Sequence, residues 1–397
     1  MANVTVQQPP PNLTFQGIVV PGSSLNPKAF FQGTRRQRVL TKQFGAWQGF
    51  GLTTVVDAIR AGILAGFWVT ISGSLHVTPS TGSVASTARW PYGLLRSGRF
   101  QANGQSNLIQ ADGWFLRVRE YMAHRGLTDR GVAQGIGGAS PGTSRTQGTL
   151  SLDSESWGVG SNVTAIATGT YDVELSIYVP VAYEDKMLTG AVFCQTMSTT
   201  LELDLTWANL ATLFTVVAPA TVTFSPTVTI EADLFTIPSD GQGGMVLPNL
   251  SAFHSYVQSK APNAIAAGQN EIYLAGQGVG RQLMRIIWRT QNGTPNVPLV
   301  PNATRVTNPY WKYGTNTIPE TWVDGRKLRY DNERDYDTDI APYAGFEAID
   351  FDKTWAFRDS VNEGSATTLR FGYTLAGTLS SPSCEYAQDV ILAGAAA

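Results

Sequence analysis

Charge is scarce in this sequence. Asp, Glu, Lys and Arg make up 15 % of its residues, against about 25 % in an average soluble domain. A surface so thin in charge is expected to face other protein, because interface cores are depleted in Lys, Glu and Asp. Cysteine is scarcer still. Cys194 and Cys384 stand far apart, which excludes a disulfide framework and suits a protein made in a reducing cytoplasm. Both are expected to be buried free thiols. Histidine is limited to His76, His124 and His254. None has a second His, Cys or carboxylate at metal-ligand spacing, so each is read as structural. No Gly-x-Ser-x-Gly elbow occurs. Gly276-Gln-Gly278-Val-Gly280 is followed by Arg281 where a dinucleotide loop needs its third glycine, and it is read as a turn. The longest apolar run, about Ala61–Ile71, falls short of the roughly 20 residues that span a bilayer. Met1–Asn12 is polar and Pro-rich without the basic start of a secretory signal. No catalytic, cofactor or metal site is assigned, and the chain is read as a non-enzyme.

What is present favours β-structure. Hydrophobic residues reach 43 %, with 40 Gly and 21 Pro, and Gly and Pro punctuate turns between β-branched and aromatic runs. Clean alternation, the mark of strands with one face on a core, runs through Phe67–Val77, Val173–Val179 and Leu201–Trp207. Thr221–Phe224 and Val228–Ile230 continue it around Pro226, expected at an edge or bulge. Trp114–Tyr121 alternates as well and is expected to be a strand. Gln134–Gly148 reads as a large surface loop. The turn-rich stretch Ile237–Gly244 is the best boundary, followed by an expected short helix over Asn249–Ser259. Strand signals resume with Leu283–Arg289 and finish with Thr367–Leu375. The reading is two all-β domains in tandem: 46–237 and 238–397, preceded by a basic segment, 1–45.

That segment is set apart by its charge. The first acidic residue is Asp57, and Lys28, Arg35, Arg36, Arg38 and Lys42 precede it. Residues 1–60 carry +5 and the remainder −7. A cationic segment on an acidic body suits a partner of negative charge, a phospholipid surface or nucleic acid. With Phe30, Phe31, Phe44 and Trp47 near it, it suits a membrane interface or the underside of a neighbouring acidic subunit. These five cations are the candidate contact residues. The alternating acids Asp331, Glu333, Asp335, Asp337 and Asp339 are read as a solvated, salt-bridged loop, since a calcium loop would need Gly at its sixth position.

The segment Tyr178-Val-Pro-Val-Ala-Tyr-Glu-Asp-Lys-Met-Leu-Thr-Gly-Ala-Val-Phe193 resembles the tectivirus-type major capsid proteins of icosahedral bacteriophages with an internal membrane. In these a strand ending in Val-Pro-x-Ala-Tyr runs into Asp-Leu-Thr-Gly-Ala-Val, and Lys186 and Met187 are the departure from that pattern. Thr199–Trp207, Asp112-Gly113-Trp114, Val246–Leu250 and Leu369–Tyr373 are looser matches. The resemblance implies two tandem eight-stranded jelly rolls with few short helices. It also implies homotrimers of pseudo-hexagonal outline that meet neighbouring capsomers, and an N-terminal segment at the inner face beside a viral membrane or minor capsid proteins. Sequence-specific nucleic-acid binding is not expected. A receptor- or glycan-binding sandwich spike is the alternative, and an oxygenase of cupin type would need clustered His and Glu ligands that are missing.

Overall fold

The structure, a computed structural model, describes residues 13–15, 18–20, 22–78, 82–87, 89–102, 105–123, 164–166, 168–195, 200–241, 243–259, 261–276, 278–292, 297–298, 306–314, 317–336, 345–352, 360–363, 368–377 and 379–393. Eight long strands build the first half: β1 (Arg36–Lys42), β2 (Thr53–Asp57), β3 (Ile63–Thr78), β4 (Leu95–Ala102), β5 (Gln105–Ala111), β6 (Gly169–Pro180), β7 (Leu201–Trp207) and β8 (Thr227–Phe235). They form two sheets, in the orders β1-β8-β3-β6 and β2-β7-β4-β5. Eight more build the second: β9 (Ala252–Gln258), β10 (Gly268–Tyr273), β11 (Arg281–Asn292), β12 (Val306–Tyr313), β13 (Thr317–Thr321), β14 (Phe346–Asp350), β15 (Leu369–Leu375) and β16 (Ser383–Ala393). Their orders are β9-β16-β11-β14 and β10-β15-β12-β13, the first pattern with every number raised by eight. The fold is therefore all-β, two tandem jelly rolls.

Alternation explains each sandwich. Val69 and Ile71 of β3, Val173, Leu175 and Ile177 of β6, and Leu201, Leu203 and Leu205 of β7 enter one core. Ile286 and Trp288 of β11, Phe371 and Tyr373 of β15, and Cys384 and Tyr386 of β16 enter the other. Residues 221–224 and β8 both pair with β3, so Pro226 interrupts what is otherwise one long strand, where its missing N–H does least harm.

The rolls share a sheet. β5 lies parallel to β9, with Ile109 opposite Tyr256 and Gln110 opposite Val257, and β2-β7-β4-β5 continues into β9-β16-β11. Helix α1 (Pro27–Gly33) begins at Asn26, whose side chain accepts from Ala29 N. Its Phe30 packs with Phe193, Phe235 and Leu247 in a small separate core.

Three expectations are corrected. Trp114–Tyr121 lies in helix α2 (Gly113–Ala123), not a strand. The helix is buried on nearly every side, with Arg117, Arg119 and Glu120 buried as well, so the alternation of apolar and charged residues does not mark a solvent face there. The informative residue is Asp112, whose carboxylate accepts from Phe115 N at 2.9 Å as an N-cap does. Asn249–Ser259 is not a helix. Asn249 Oδ1 accepts from Ser251 N in a tight turn, and residues 252–258 become β9, fixed by pairing with β16. The acidic run begins in helix α3 (Gly325–Tyr336), where Lys327 and Asp331 pair one turn apart and Arg329 binds Glu347 at 2.9 Å. Asp337 and Asp339 lie outside the described residues, as do Gln134–Gly148, Met1–Asn12 and His124.

Candidate functional site

The segment Tyr178–Phe193 lies where the two rolls meet. β6 ends at Pro180, and the chain turns under the first roll. Glu184 holds this turn, accepting from the backbone N–H groups of Lys186 at 2.6 Å and Met187 at 2.8 Å, and from the Thr189 hydroxyl at 3.1 Å. Gly190 follows at φ +79°, and a Cβ there would stand 2.4 Å from His254 N of β9. Both the backbone conformation and the close approach require glycine. Tyr183 packs on Met284 of β11 and Ile391 of β16, so the turn from the first roll is seated on the second.

Beside it lies a buried ionic cluster. Arg119 of α2 donates through Nε to Asp389 Oδ2 at 2.9 Å and through Nη2 to Tyr183 O at 3.0 Å. His254 Nε2 is 2.5 Å from Asp389 Oδ1, and Nδ1 is 3.2 Å from Val181 O. Arg285 of β11 pairs with Asp350 of β14 and lies 3.6 Å from Asp389. The Tyr183 hydroxyl donates to Asp352 at 3.3 Å. Burial pushes the His254 imidazole below its ordinary value, with the Asp389 carboxylate opposing. Burial alone would raise Asp389, yet the Arg119 guanidinium, His254 and Arg285 hold it well below the usual carboxylate range. Further along the joint, Arg289 binds Glu385 at 2.5 Å and lies 3.7 Å from Asp112. The cluster positions elements of both rolls against one another. Sequence reasoning missed it, although charges inside apolar windows, such as Arg285 and Arg289 on β11 or Asp389 on β16, were its visible signal.

The five expected contact cations do not form one cluster. Lys28 is exposed on α1, and Arg35 is exposed just before β1. Arg36 is engaged by the body: Nε donates to Asp233 at 2.7 Å, and Nη1 lies 2.9 Å from Asp185. Asp233 is the first cause of its raised pKa. The Arg38 guanidinium stacks 4.6 Å from the Trp68 ring centroid. Lys42 Nζ donates to Val55 O at 3.1 Å. Arg36, Arg38 and Lys42 therefore belong to an edge strand of the first roll's sheet, whose residues are mostly exposed.

Both thiols are free and buried, in different cores, and burial pushes each up to about 12. His76 Nδ1 is 2.9 Å from the Thr170 hydroxyl. Among the described residues no group of three or more His, Cys, Asp or Glu could hold a metal ion, and no helix is long and apolar enough to cross a membrane.

The family model described as P3 major capsid protein N-terminal matches residues 36–241. No curated protein matches the chain in sequence. Among solved structures, the chain is similar to the major capsid protein of STIV, with 14 % identity, 91 % of this chain and 97 % of that one covered, and a TM-score of 0.62. It is similar to the Faustovirus major capsid protein, with 8 % identity, 91 % of each chain covered and a TM-score of 0.55. It is also similar to the major capsid protein P2 of bacteriophage PM2, with 10 % identity, 90 % and 97 % covered, and a TM-score of 0.52.

Proposed function

Since the chain belongs to the P3 major capsid protein family and is a structural protein of an icosahedral capsid, not an enzyme, we propose that it builds the shell as a homotrimer of pseudo-hexagonal outline over an internal membrane. The observation that carries the trimer is the repeated strand order. Two rolls of one topology in one chain let three chains imitate six-fold packing, while closed rings re-use a single interface. The low charge of the chain favours large protein contacts, and the buried area per trimer contact is expected to exceed ~2,000 Å², the range of obligate interfaces.

The two units divide at 237/238, and the basic segment 1–45 serves the inner face through its part before β1, since Arg36–Lys42 is already the first strand of the first roll. Of the five candidate cations, Lys28 and Arg35 then stand at the surface that meets lipid or minor capsid proteins, while Arg36, Arg38 and Lys42 serve the first roll as part of β1. Lys28 and Arg35, the exposed pair at the α1 end, carry most of any lipid attraction, each contributing about 1 kcal/mol near an anionic surface. Two free thiols fit assembly in the host cytoplasm. Light scattering tests the trimer: three chains per particle at micromolar concentration are expected, and a stable monomer overturns it. Flotation with anionic vesicles tests the membrane contact. Wild-type trimers are expected to float at low salt and not at high salt, and Lys28→Ala/Arg35→Ala trimers are expected not to float. Equal, negligible flotation of both removes the lipid role.

A further inference from the structure

We infer that a cavity beside the joint binds a small uncharged ligand: an aliphatic body bearing an O–H or N–H donor, as in a fatty alcohol or amide. The cavity measures about 530 Å³, within the roughly 300–1,000 Å³ of small-molecule sites. Leu108 of β5, Val257 of β9, and Val390 and Leu392 of β16 line it, so both rolls contribute to an apolar wall. Ala275 and Gly276, where the glycine turn after β10 begins, line it too. This site is independent of the trimeric reading above and stands or falls apart from it.

A polar group in that wall sets the chemistry. Gln388 of β16 lines the cavity and is only 6 % exposed. Its Nε2 donates to Ala275 O at 3.0 Å, while its Oε1 is buried and accepts no hydrogen bond. A buried acceptor without a donor is costly, and a ligand that supplies the donor removes that cost. Other polar groups of the lining are engaged. The Tyr386 hydroxyl accepts from Ala275 N at 3.1 Å and donates to Tyr273 O at 3.2 Å. Ser259 Oγ accepts from Tyr386 N, Asn263 donates to Cys384 O, and Gln258 is bound to Asp112. Ser255 also lines the cavity, and its hydroxyl can donate to the ligand or accept from it. Among the described lining residues the charged one, Arg281, pairs with buried Glu363 at 2.6 Å. Its charge is thus balanced, and Gln388 Oε1, an acceptor, repels a carboxylate. A neutral head that donates is what fits.

Three probes test this in the full-length protein: 1-octanol, its methyl ether and octanoate, each followed by titration calorimetry and thermal melts. The alcohol is expected to bind once per chain. It should raise the melting temperature as its concentration rises, since the site touches both rolls. The ether has the same body without the donor and is expected to bind roughly tenfold more weakly, with octanoate weaker still. Gln388→Met is expected to bring alcohol and ether to the same affinity. Val257→Trp, at a half-buried wall position, is expected to fill the cavity and abolish binding. No saturable binding of the alcohol to the wild type overturns the inference. So does an ether or an octanoate that binds as tightly as the alcohol, or a folded Val257→Trp protein that binds the alcohol unchanged. If either variant fails to fold, the three wild-type titrations decide the matter alone.

Discussion

The first roll and the second share a strand order but bury different chemistry. The first is held by aliphatic and aromatic side chains from both of its sheets, with Phe67 against Phe100 at 5.6 Å and Trp207 against Trp47 at 5.1 Å. In the second, the sheet that begins with β9 is buried on both faces. On β11, Ile286 and Trp288 point into the roll's own core. Ile287 points the other way, into the core that holds α2, with Arg285 and Arg289 at the same spacing. β16 divides alike: Cys384, Tyr386 and Val390 face one side, while Ala387 joins the other core beside Glu385 and Asp389. A surface that is solvent-facing in an ordinary sandwich became an internal joint here. Its charges had to be paired, because an isolated buried charge costs several kcal/mol.

That contrast is broken most directly at Asp389, which lies against Arg119, His254 and Arg285. Asp389→Ala leaves two cations buried and is expected to destabilise by ~3–5 kcal/mol in denaturant unfolding. A loss under about 1 kcal/mol would show that the joint tolerates unpaired charge. The matching test in the first roll is Leu203→Ala on β7, at a fully buried site. A loss of ~2–5 kcal/mol is expected from lost burial plus the cavity, and it should be independent of salt and pH.

The pH response separates two kinds of buried acid. Asp389 is depressed, so its contribution is fully present above the unfolded value of about 3.9 and is lost as pH falls below it. Glu120 on α2 is the reverse: burial raises it to about 7, with Arg117 opposing. Between its unfolded value and 7 the folded state binds the extra proton, so stability falls as pH rises through that window. Glu120→Gln is expected to stabilise at pH 8 by a few kcal/mol and to change little at pH 5, read from thermal melts at both. Equal effects at both would show that Glu120 stays ionised. The smallest effect is expected on the outside of the second roll. Lys327→Ala removes an exposed pair with Asp331 one turn away and should cost no more than ~0.5 kcal/mol, a loss that added salt should erase.

How much of this was legible follows from how many faces each element buries. β3, β6 and β7 bury one face against their roll's core, and their alternation was readable at once. α2 and the second face of β11 and β16 are enclosed, so their charged residues, such as Arg119, Arg285 and Asp389, are buried and do not mark a solvent face. The exchange of strand and helix at Trp114–Tyr121 and at Asn249–Ser259 came from this. The N-cap at Asp112 and the pairing of β9 with β16 carried the answer, and only the first is local. The boundary signal at Ile237–Gly244 marked where the chain leaves β8. It did not show that the rolls stay joined in one sheet, because Ile109 and Tyr256, which meet there, lie far apart in sequence. The segment Tyr178–Phe193 was conspicuous by its resemblance, and the structure supplies its reason in Glu184, Gly190 and Tyr183 at the joint.

In the proposed trimer, two rolls of one topology per chain imitate a six-fold ring, and electron microscopy of the isolated particles viewed down their symmetry axis tests this most directly. The account predicts a hexagonal outline of six lobes, with the spacing between lobes of neighbouring chains matching the spacing inside a chain. A triangular particle in which the three between-chain contacts differ plainly from the three internal ones would contradict it.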